Sequence, residues 1–543
     1  MKYTATSIPY SATGVFSALV NDYISGNGTA CDYVAYTPDL EGIKKAIQQR
    51  KFSAIQRQTL VSVLENQYQA LGAVTHEKNK AAFEKVHANI GLLKNDSCFA
   101  VTTAHQPNLF TGPLYFFYKI IHVIKLAAEL KAEFPDNDFV PVYYMGSEDA
   151  DLAEVGSYSI DGAKHQWKTK QTGAIGRMLV DDHLLQLLQN LEGYWTVKPD
   201  GKEALVIIKA AYKKGNTINE ATLQMVHLFF GQYGLVVVQP DDAKLKSLFV
   251  EVMQKELTMQ FSHAAIQPAL KSLSENYHVQ SEGRDINLFY LKDANRNRIE
   301  KIGELFSVVD TDIQFTQAEI IKELQTYPER FSPNVILRGA YQETILPSVV
   351  FVGGGGELAY WMELKEVFDQ AELNYPVIIL RNSFLFINEK QSKQWASLEF
   401  NTEALFNSIP DLELAFVKKQ SVENLALTEH IASLTNLYNT IQQDVIKIDA
   451  SLGNHALNLS LQAQKKLALL EKKMVRAEKR KQHTSLARIH SIKSELFPDN
   501  NLQERVENFS KWVGANGWSW VEAILNNSNS VEASFTIIHI SKD

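Results

Sequence analysis

Apolar residues along the first 390 positions alternate between short unbroken runs and longer stretches spaced by three and four. "CFAVTT" (98–103) has the length and β-rich content of a buried strand, whereas "GPLYFFYKIIHVIKLAAELKAEF" (112–134) is too long for one and reads as helix. "FVPVYYM" (139–145) is the next strand, so these three segments make a βαβ unit with a right-handed crossover on a parallel sheet. The alternation returns in "YGLVVVQPDDAKLKSLFVEVMQKEL" (233–257), where Asp241 or Asp242 caps the helix after the strand. "NVILRG" (334–339), "PSVVFVGGGGELAYWMELKEVFDQA" (347–371) and "YPVIILRNS" (375–383) supply three more strands and a helix. The pattern predicts an α/β fold, a doubly wound parallel sheet interrupted by insertions.

Residues 40–94 read mostly as helix before this core begins. The two insertions, 155–232 and 262–333, mix strand and helix signals, including a strand at "INLFYL" and a helix near 316–326, without fixing how the strands pair. From about 388 the texture turns helical. Residues 422–497 hold one glycine and no proline, with apolar positions at intervals of three and four, which predicts long antiparallel helices. Strand and aromatic content near the carboxyl terminus predicts a return to the globular body.

The chain has 543 residues, 45% of them hydrophobic, enough for a sizeable core and for about two to four structural units. A formal net charge of −8 argues against a surface built throughout for nucleic acid or anionic membrane. No window approaches a membrane span, the first residues do not read as a signal peptide, and two cysteines make no disulfide framework or Cys-rich zinc site. A cytoplasmic location is the expectation.

In an open parallel sheet, ligands gather where strands end and helices begin, because helix amino termini present unpaired N–H groups. At the first such seam, His105, Gln106 and Asn108 follow the strand, Thr111 is the expected N-cap, and Gly112 and Pro113 occupy the first helical turn. A histidine there can donate to developing charge or move a proton near neutral pH, or these residues can simply tie the loop together. The second seam carries Glu148, Asp149, Asp151 and Glu154, suited to an ammonium group, magnesium or a base, with helix capping accounting for one or two. The third is Gly353, Gly354, Gly355 and Gly356, where backbone amides can hold phosphate or carboxylate. It lacks the P-loop lysine and the dinucleotide fingerprint, and a tight packing turn is its alternative. Arg338 and Arg381, near strand ends, offer cationic forks for carboxylate or phosphate, or surface salt bridges. Together the seams predict one small-molecule site for an acidic, amine-bearing ligand. Lys465, Lys466, Lys472, Lys473, Arg476, Lys479, Arg480 and Lys481 form a basic stretch that reads first as a solvated coiled-coil face.

The ordered set "HQPNLFTGPLYFFYK", "VPVYYMGSEDADLAEV", "NVILRGAYQETILPSVVFVGGGGELAYWMELKEVF" and "PVIILRNS" resembles the BshC family, the cysteine-adding enzymes of bacillithiol biosynthesis. Two departures stand out. Ala104-His105-Gln106 replaces the family's common Gly-Gln-Gln, and Ala150 replaces a histidine after Asp149.

The resemblance implies a Rossmann-like core with connecting-peptide insertions and a carboxyl-terminal α-helical coiled coil that pairs two subunits. Its segments would be 1–154, 233–261 and 334–387 for the core with its leading helices, 155–232 and 262–333 for the connecting peptides, 388–500 for the coiled coil, and 501–543 for the return. It implies a ligase joining L-cysteine to the amino group of glucosaminyl malate, with no nucleic-acid or membrane partner. Amide formation needs an activated carboxyl, so ATP or another nucleotide is expected; a metal requirement is left open. His105, Asn108, Glu148 and Asp149 are then the catalytic candidates, and Gly353 to Gly356 the nucleotide loop. Gln106, Thr111, Gly112, Lys119, Asp151, Arg338, Glu357, Tyr360, Arg381 and Ser383 are the substrate-binding candidates. A nucleotidyltransferase or ligase for another small acid, or a noncatalytic nucleotide-binding assembly protein, are the alternatives.

Overall fold

The computed structural model describes residues 1–75, 80–198, 200–279, 283–421 and 424–541. Met1–Leu385 with Leu502–Ile538 forms one compact unit, and Phe386–Asn501 with residues 539–541 forms another.

The first unit is built on five strands, β1 (Cys98–His105), β2 (Asp138–Met145), β3 (Val236–Val238), β4 (Ser348–Gly353) and β5 (Val377–Leu380). They lie in the order β5-β4-β1-β2-β3, every neighbour parallel. The chain runs outward from β1 to β3 and then restarts on the other side of β1, so the switch point falls between β1 and β4. Burial on both faces explains the unbroken apolar runs, with Val349 to Val352 and Val377 to Ile379 almost fully buried. The two threonines inside β1 are satisfied across that seam: Thr103 Oγ1 donates to the Val352 carbonyl at 2.8 Å, and Thr102 and Ser348 share a hydroxyl bond at 2.8 Å.

Helix α1 (Tyr115–Glu133) follows β1. Thr111 is not its N-cap, contrary to expectation. Phe110, Thr111 and Gly112 have φ of 47, 72 and 62°, so the chain enters helical geometry only at Leu114. "NVILRG" is likewise not a strand. Asn334 caps helix α2 (Val335–Ile345), its side chain accepting from Ile336 N at 2.9 Å. α2 is buried along much of its length, so its first six residues are as apolar as a strand would be. Beyond β4, α3 (Gly355–Glu363) begins directly. Asp242 caps the helix after β3, while Asp241 instead pairs with Arg177.

The first insertion contains a two-stranded hairpin, Ser157–Ile160 against Ala163–Gln166, and helices that include Ile218–Phe230. The second forms a five-stranded antiparallel sheet in which Leu288–Lys292 lies between Asn295–Ile302 and Phe331–Pro333. This pairing brings Arg296 toward the core.

His227, on Ile218–Phe230, is buried against Tyr68 and Phe83, and neither of its ring nitrogens has a partner among the described residues. Burial, reinforced by nearby His87, lowers its pKa to about 4. The unfolded chain therefore binds a proton that the folded chain refuses between pH ~6.5 and ~4, and stability falls as pH drops through that window, by up to ~3 kcal/mol from this group. Urea unfolding at pH 7 and pH 5 is expected to show the loss, with a shallower pH slope in His227→Phe.

In the second unit α4 (Thr428–Ile446) and α5 (Leu452–Lys481) form an antiparallel hairpin, continued by α6 (His483–Leu496). Leu427 N donates to the Glu471 carboxylate at 3.0 Å at one end, and Gln442 Nε2 to the Gly453 carbonyl at 3.1 Å at the other. Val422 and Glu423, at the start of the expected helical span, lie outside the described residues. The basic stretch is largely exposed; within it Lys479 pairs with Glu413 and Lys481 with Glu478.

Candidate active site

The carboxyl ends of β1 and β4 open into a cavity of about 910 Å³. Of the residues expected from sequence, His105, Gln106, Lys119, Asp149, Arg338, Gly354, Gly355, Gly356, Glu357, Tyr360 and Arg381 line it. Asn108, Thr111, Gly112, Glu148, Asp151, Gly353 and Ser383 are not among its lining residues. The glycine turn after β4 and Asp149 after β2 thus line one cavity.

None of the four glycines takes a positive φ. Their service is space. A Cβ on Gly353 would come within 2.8 Å of the Phe351 ring, which makes that position a packing turn, while one on Gly356 would meet nothing within 4 Å. Gly354 N donates to Glu357 Oε2 at 2.8 Å, and the same carboxylate is ion-paired with buried Lys119, which also donates to the Ala104 carbonyl at 2.9 Å. Glu357 and Lys119 therefore lock the glycine turn to the end of β1. Gly355 and Gly356, in the first turn of α3, line the cavity at the positive end of the helix dipole.

His105 is the last residue of β1. Asn108 Nδ2 lies 3.2 Å from its Nε2, and Nδ1 has no partner among the described residues. Burial first, then the charges of Lys119 and Arg381, push its pKa well below the usual histidine range. His105 is a neutral ring at physiological pH, with one ring nitrogen a donor and the other an acceptor.

At the second seam the four carboxylates divide their roles. Glu148 is buried and ion-paired with fully buried Lys246, which also donates to the Phe331 carbonyl. Asp151 caps the short helix Leu152–Val155 by accepting from Glu154 N at 3.0 Å. Asp149 and Glu154 remain at the cavity, joined by Gln106, whose Nε2 donates to both at 3.2 and 3.1 Å. Burial raises the Asp149 carboxyl, but Arg338 and Arg296 with two hydrogen bonds outweigh it, and the net shift is downward. Glu154 is shifted up by burial and by its two acidic neighbours.

Cationic groups stand beside these carboxylates. Arg338, on α2 rather than at a strand end, approaches Asp149 at 3.6 Å. Arg296, which local sequence gave no reason to select, stacks on the Phe289 ring at 3.8 Å and donates to Ser332 Oγ at 3.2 Å and the Pro333 carbonyl at 3.4 Å. Burial and the nearby Arg338 lower its pKa to about 10. It has no carboxylate partner among the described residues. Arg381 differs: its Nη2 donates to buried Glu504 at 2.7 Å, and Nη1 to the Asn382 carbonyl and Ser383 Oγ. Ser383 braces that pair, donating to Glu504 at 3.3 Å, and does not reach the cavity. Arg284, Tyr115, Tyr144 and Arg505 are further lining residues that sequence reasoning missed.

Comparison with known proteins gives a consistent result. Residues 1–382 match a family model described as "Bacillithiol biosynthesis BshC, N-terminal Rossmann-like domain", and 384–540 match the corresponding C-terminal coiled-coil domain. A Flavobacterium johnsoniae protein named "Putative cysteine ligase BshC" is 36% identical over 98% of this chain and 99% of its own. One of the same name from Cytophaga hutchinsonii is 37% identical over 91% of both chains. Among solved structures, a Campylobacter jejuni chain titled as an arginyl-tRNA synthetase aligns over 82% of this chain and 96% of its own. At 10% identity and a TM-score of 0.21 it bears on neither fold nor function.

Proposed function

Because the chain belongs to the BshC family, we propose that it forms an amide between the carboxyl of L-cysteine and the amino group of glucosaminyl malate, the last step of bacillithiol synthesis. The observation that carries the reading is one cavity lined by two carboxylates, Asp149 and Glu154, by Arg338 and Arg296, and by the glycines that begin α3. Asp149 and Glu154 take the cysteine ammonium; Glu148, already committed to Lys246, does not. Arg338 and Arg296 take the two carboxylates of the malyl group. Arg381 holds the wall together through Glu504 instead of binding substrate.

The expected nucleotide, ATP or another, supplies a leaving group on the cysteine carboxyl. The residues present suit it: Gly355 and Gly356, at the start of α3, offer amides for phosphate, and the neutral ring of His105 offers an N–H donor for charge developing nearby. Asn108 serves that role through His105. Mass spectrometry of purified protein with cysteine, glucosaminyl malate and ATP is expected to show the thiol product; its absence with ATP and with other nucleoside triphosphates overturns the reading.

Two substitutions in adjacent residues separate binding from architecture. Glu148→Gln leaves Lys246 buried without its counter-charge and is expected to destabilise by ~3–5 kcal/mol in urea unfolding. Asp149→Asn removes the carboxylate that Arg338 approaches and is expected to raise the KM for cysteine about 10- to 100-fold, with a stability loss of ~1–2 kcal/mol, smaller than that of Glu148→Gln.

The subunit is a homodimer in this proposal, paired through the α4–α5 hairpin. α4 buries no residue of its own, and Leu437 and Ile441 on α4 and Leu469 and Leu470 on α5 are exposed. Light scattering is expected to give twice the chain mass, reduced to one in Leu437→Glu/Leu469→Glu. Among the described residues no helix is long and apolar enough to cross a membrane. A cytoplasmic location remains part of the proposal, on biosynthetic role alone.

A further inference from the structure

We infer that Asn508, far from β1 in sequence, is a positioning residue that fixes the tautomer of His105 through the loop between β1 and α1. The inference rests on the proposed role of His105 only for its consequence in turnover. Its structural content stands separately.

Phe110 and Thr111 occupy left-handed backbone, a conformation that costs non-glycine residues on the order of 1 kcal/mol each and persists only where surroundings enforce it. Asn508, itself buried, enforces it. Its Nδ2 donates to the Phe110 carbonyl at 2.9 Å and the Gly112 carbonyl at 2.7 Å, and its Oδ1 accepts from Ser510 N at 3.0 Å. An antiparallel bridge between Pro113 and Asn508, with Leu114 N donating to the Glu507 carbonyl at 2.9 Å, holds the same stretch from its far end.

The pinned loop seats Asn108 in turn. A Cβ on Gly112 would lie 2.5 Å from Asn108 Nδ2, so the amide rests directly on that glycine. From this seat Nδ2 reaches His105 Nε2 at 3.2 Å. Asn508 thus sets the loop, the loop sets Asn108, and Asn108 makes Nε2 an acceptor, leaving the proton on Nδ1.

The test is a two-bond ¹H–¹⁵N correlation spectrum of full-length protein labelled at histidine, with His105 assigned by the signal lost in His105→Gln. The expected wild-type spectrum has an unprotonated Nε2 and a protonated Nδ1. Asn508→Ala is expected to mix the tautomers and lower kcat about tenfold, with the KM for cysteine changed less than twofold. Asn108→Asp keeps every contact of Asn508 and is expected to move the proton to Nε2 and raise the pKa of His105, which tests the relay even if Asn508→Ala does not fold. A protonated Nε2 in the wild type, or wild-type tautomers in folded Asn508→Ala or in Asn108→Asp, overturns the inference. Full activity of His105→Gln sinks the role assigned to the ring while leaving the tautomer result intact.

Discussion

Arg296→Met is expected to raise the KM for glucosaminyl malate about 100-fold while changing stability by less than ~1 kcal/mol. The size follows from what the guanidinium gives a dianion. A hydrogen bond to a charged group contributes ~1.5–3 kcal/mol, and 1.4 kcal/mol is a factor of ten in affinity. The small stability change follows from what it gives the empty fold. Arg296 donates to one hydroxyl and one carbonyl, has no carboxylate partner among the described residues, and has its pKa lowered to about 10 by burial first and by nearby Arg338 second. Removing it costs Ser332 a partner but relieves a buried charge repelled by its neighbour, and methionine can pack on the Phe289 ring in its place. A purely structural arginine would give the reverse, with lost stability and unchanged KM. Steady-state kinetics with the malyl acceptor and with an acceptor lacking both carboxylates, beside urea unfolding, distinguish the two; the KM penalty is expected only for the malyl acceptor.

Why Arg296 was invisible in the sequence and the glycine turn was not is a question of range. Strands buried on both faces carry their own signature, so β1, β2, β4 and β5 and the helices beside them are legible from short windows. The switch point follows from the order in which those strands occur. Arg296 sits in a polar alternating strand of an insertion, and only the pairing of that strand between its neighbours turns it toward the core. Glu148 looked as available as Asp149 because its partner Lys246 is 98 positions away, and Thr111 looked like a cap because the brace on its loop comes from Asn508, 398 positions from Phe110. "NVILRG" failed for a local reason. A helix buried along much of its length shows no polar face in its first six residues, and the deciding feature was the capping asparagine before them.

The pair formed by Arg381 and Glu504 is expected to be strongly coupled, and a double-mutant cycle reads it out. Both side chains are nearly inaccessible, at 4 and 0% exposure. Arg381→Met leaves the Glu504 carboxylate buried with Ser383 as its remaining donor, and Glu504→Leu leaves a guanidinium with two neutral acceptors. Each single variant is expected to lose ~3–5 kcal/mol, because an uncompensated charge in that interior has no solvent to turn to. The double variant removes both charges together and is expected to lose much less than the sum, with a coupling of at least ~2 kcal/mol. Activity should follow a different course. Arg381 also lies over the Tyr115 ring and accompanies Lys119 in keeping His105 uncharged, so the double variant recovers stability without recovering the depressed histidine pKa. The sign is fixed: with one cation removed the folded-state pKa of His105 rises toward its unfolded value, and the acid limb of the kcat profile moves to higher pH. Additive losses in the cycle would show Arg381 and Glu504 acting independently, and an acid limb that stays in place would show that burial and Lys119 alone keep His105 uncharged.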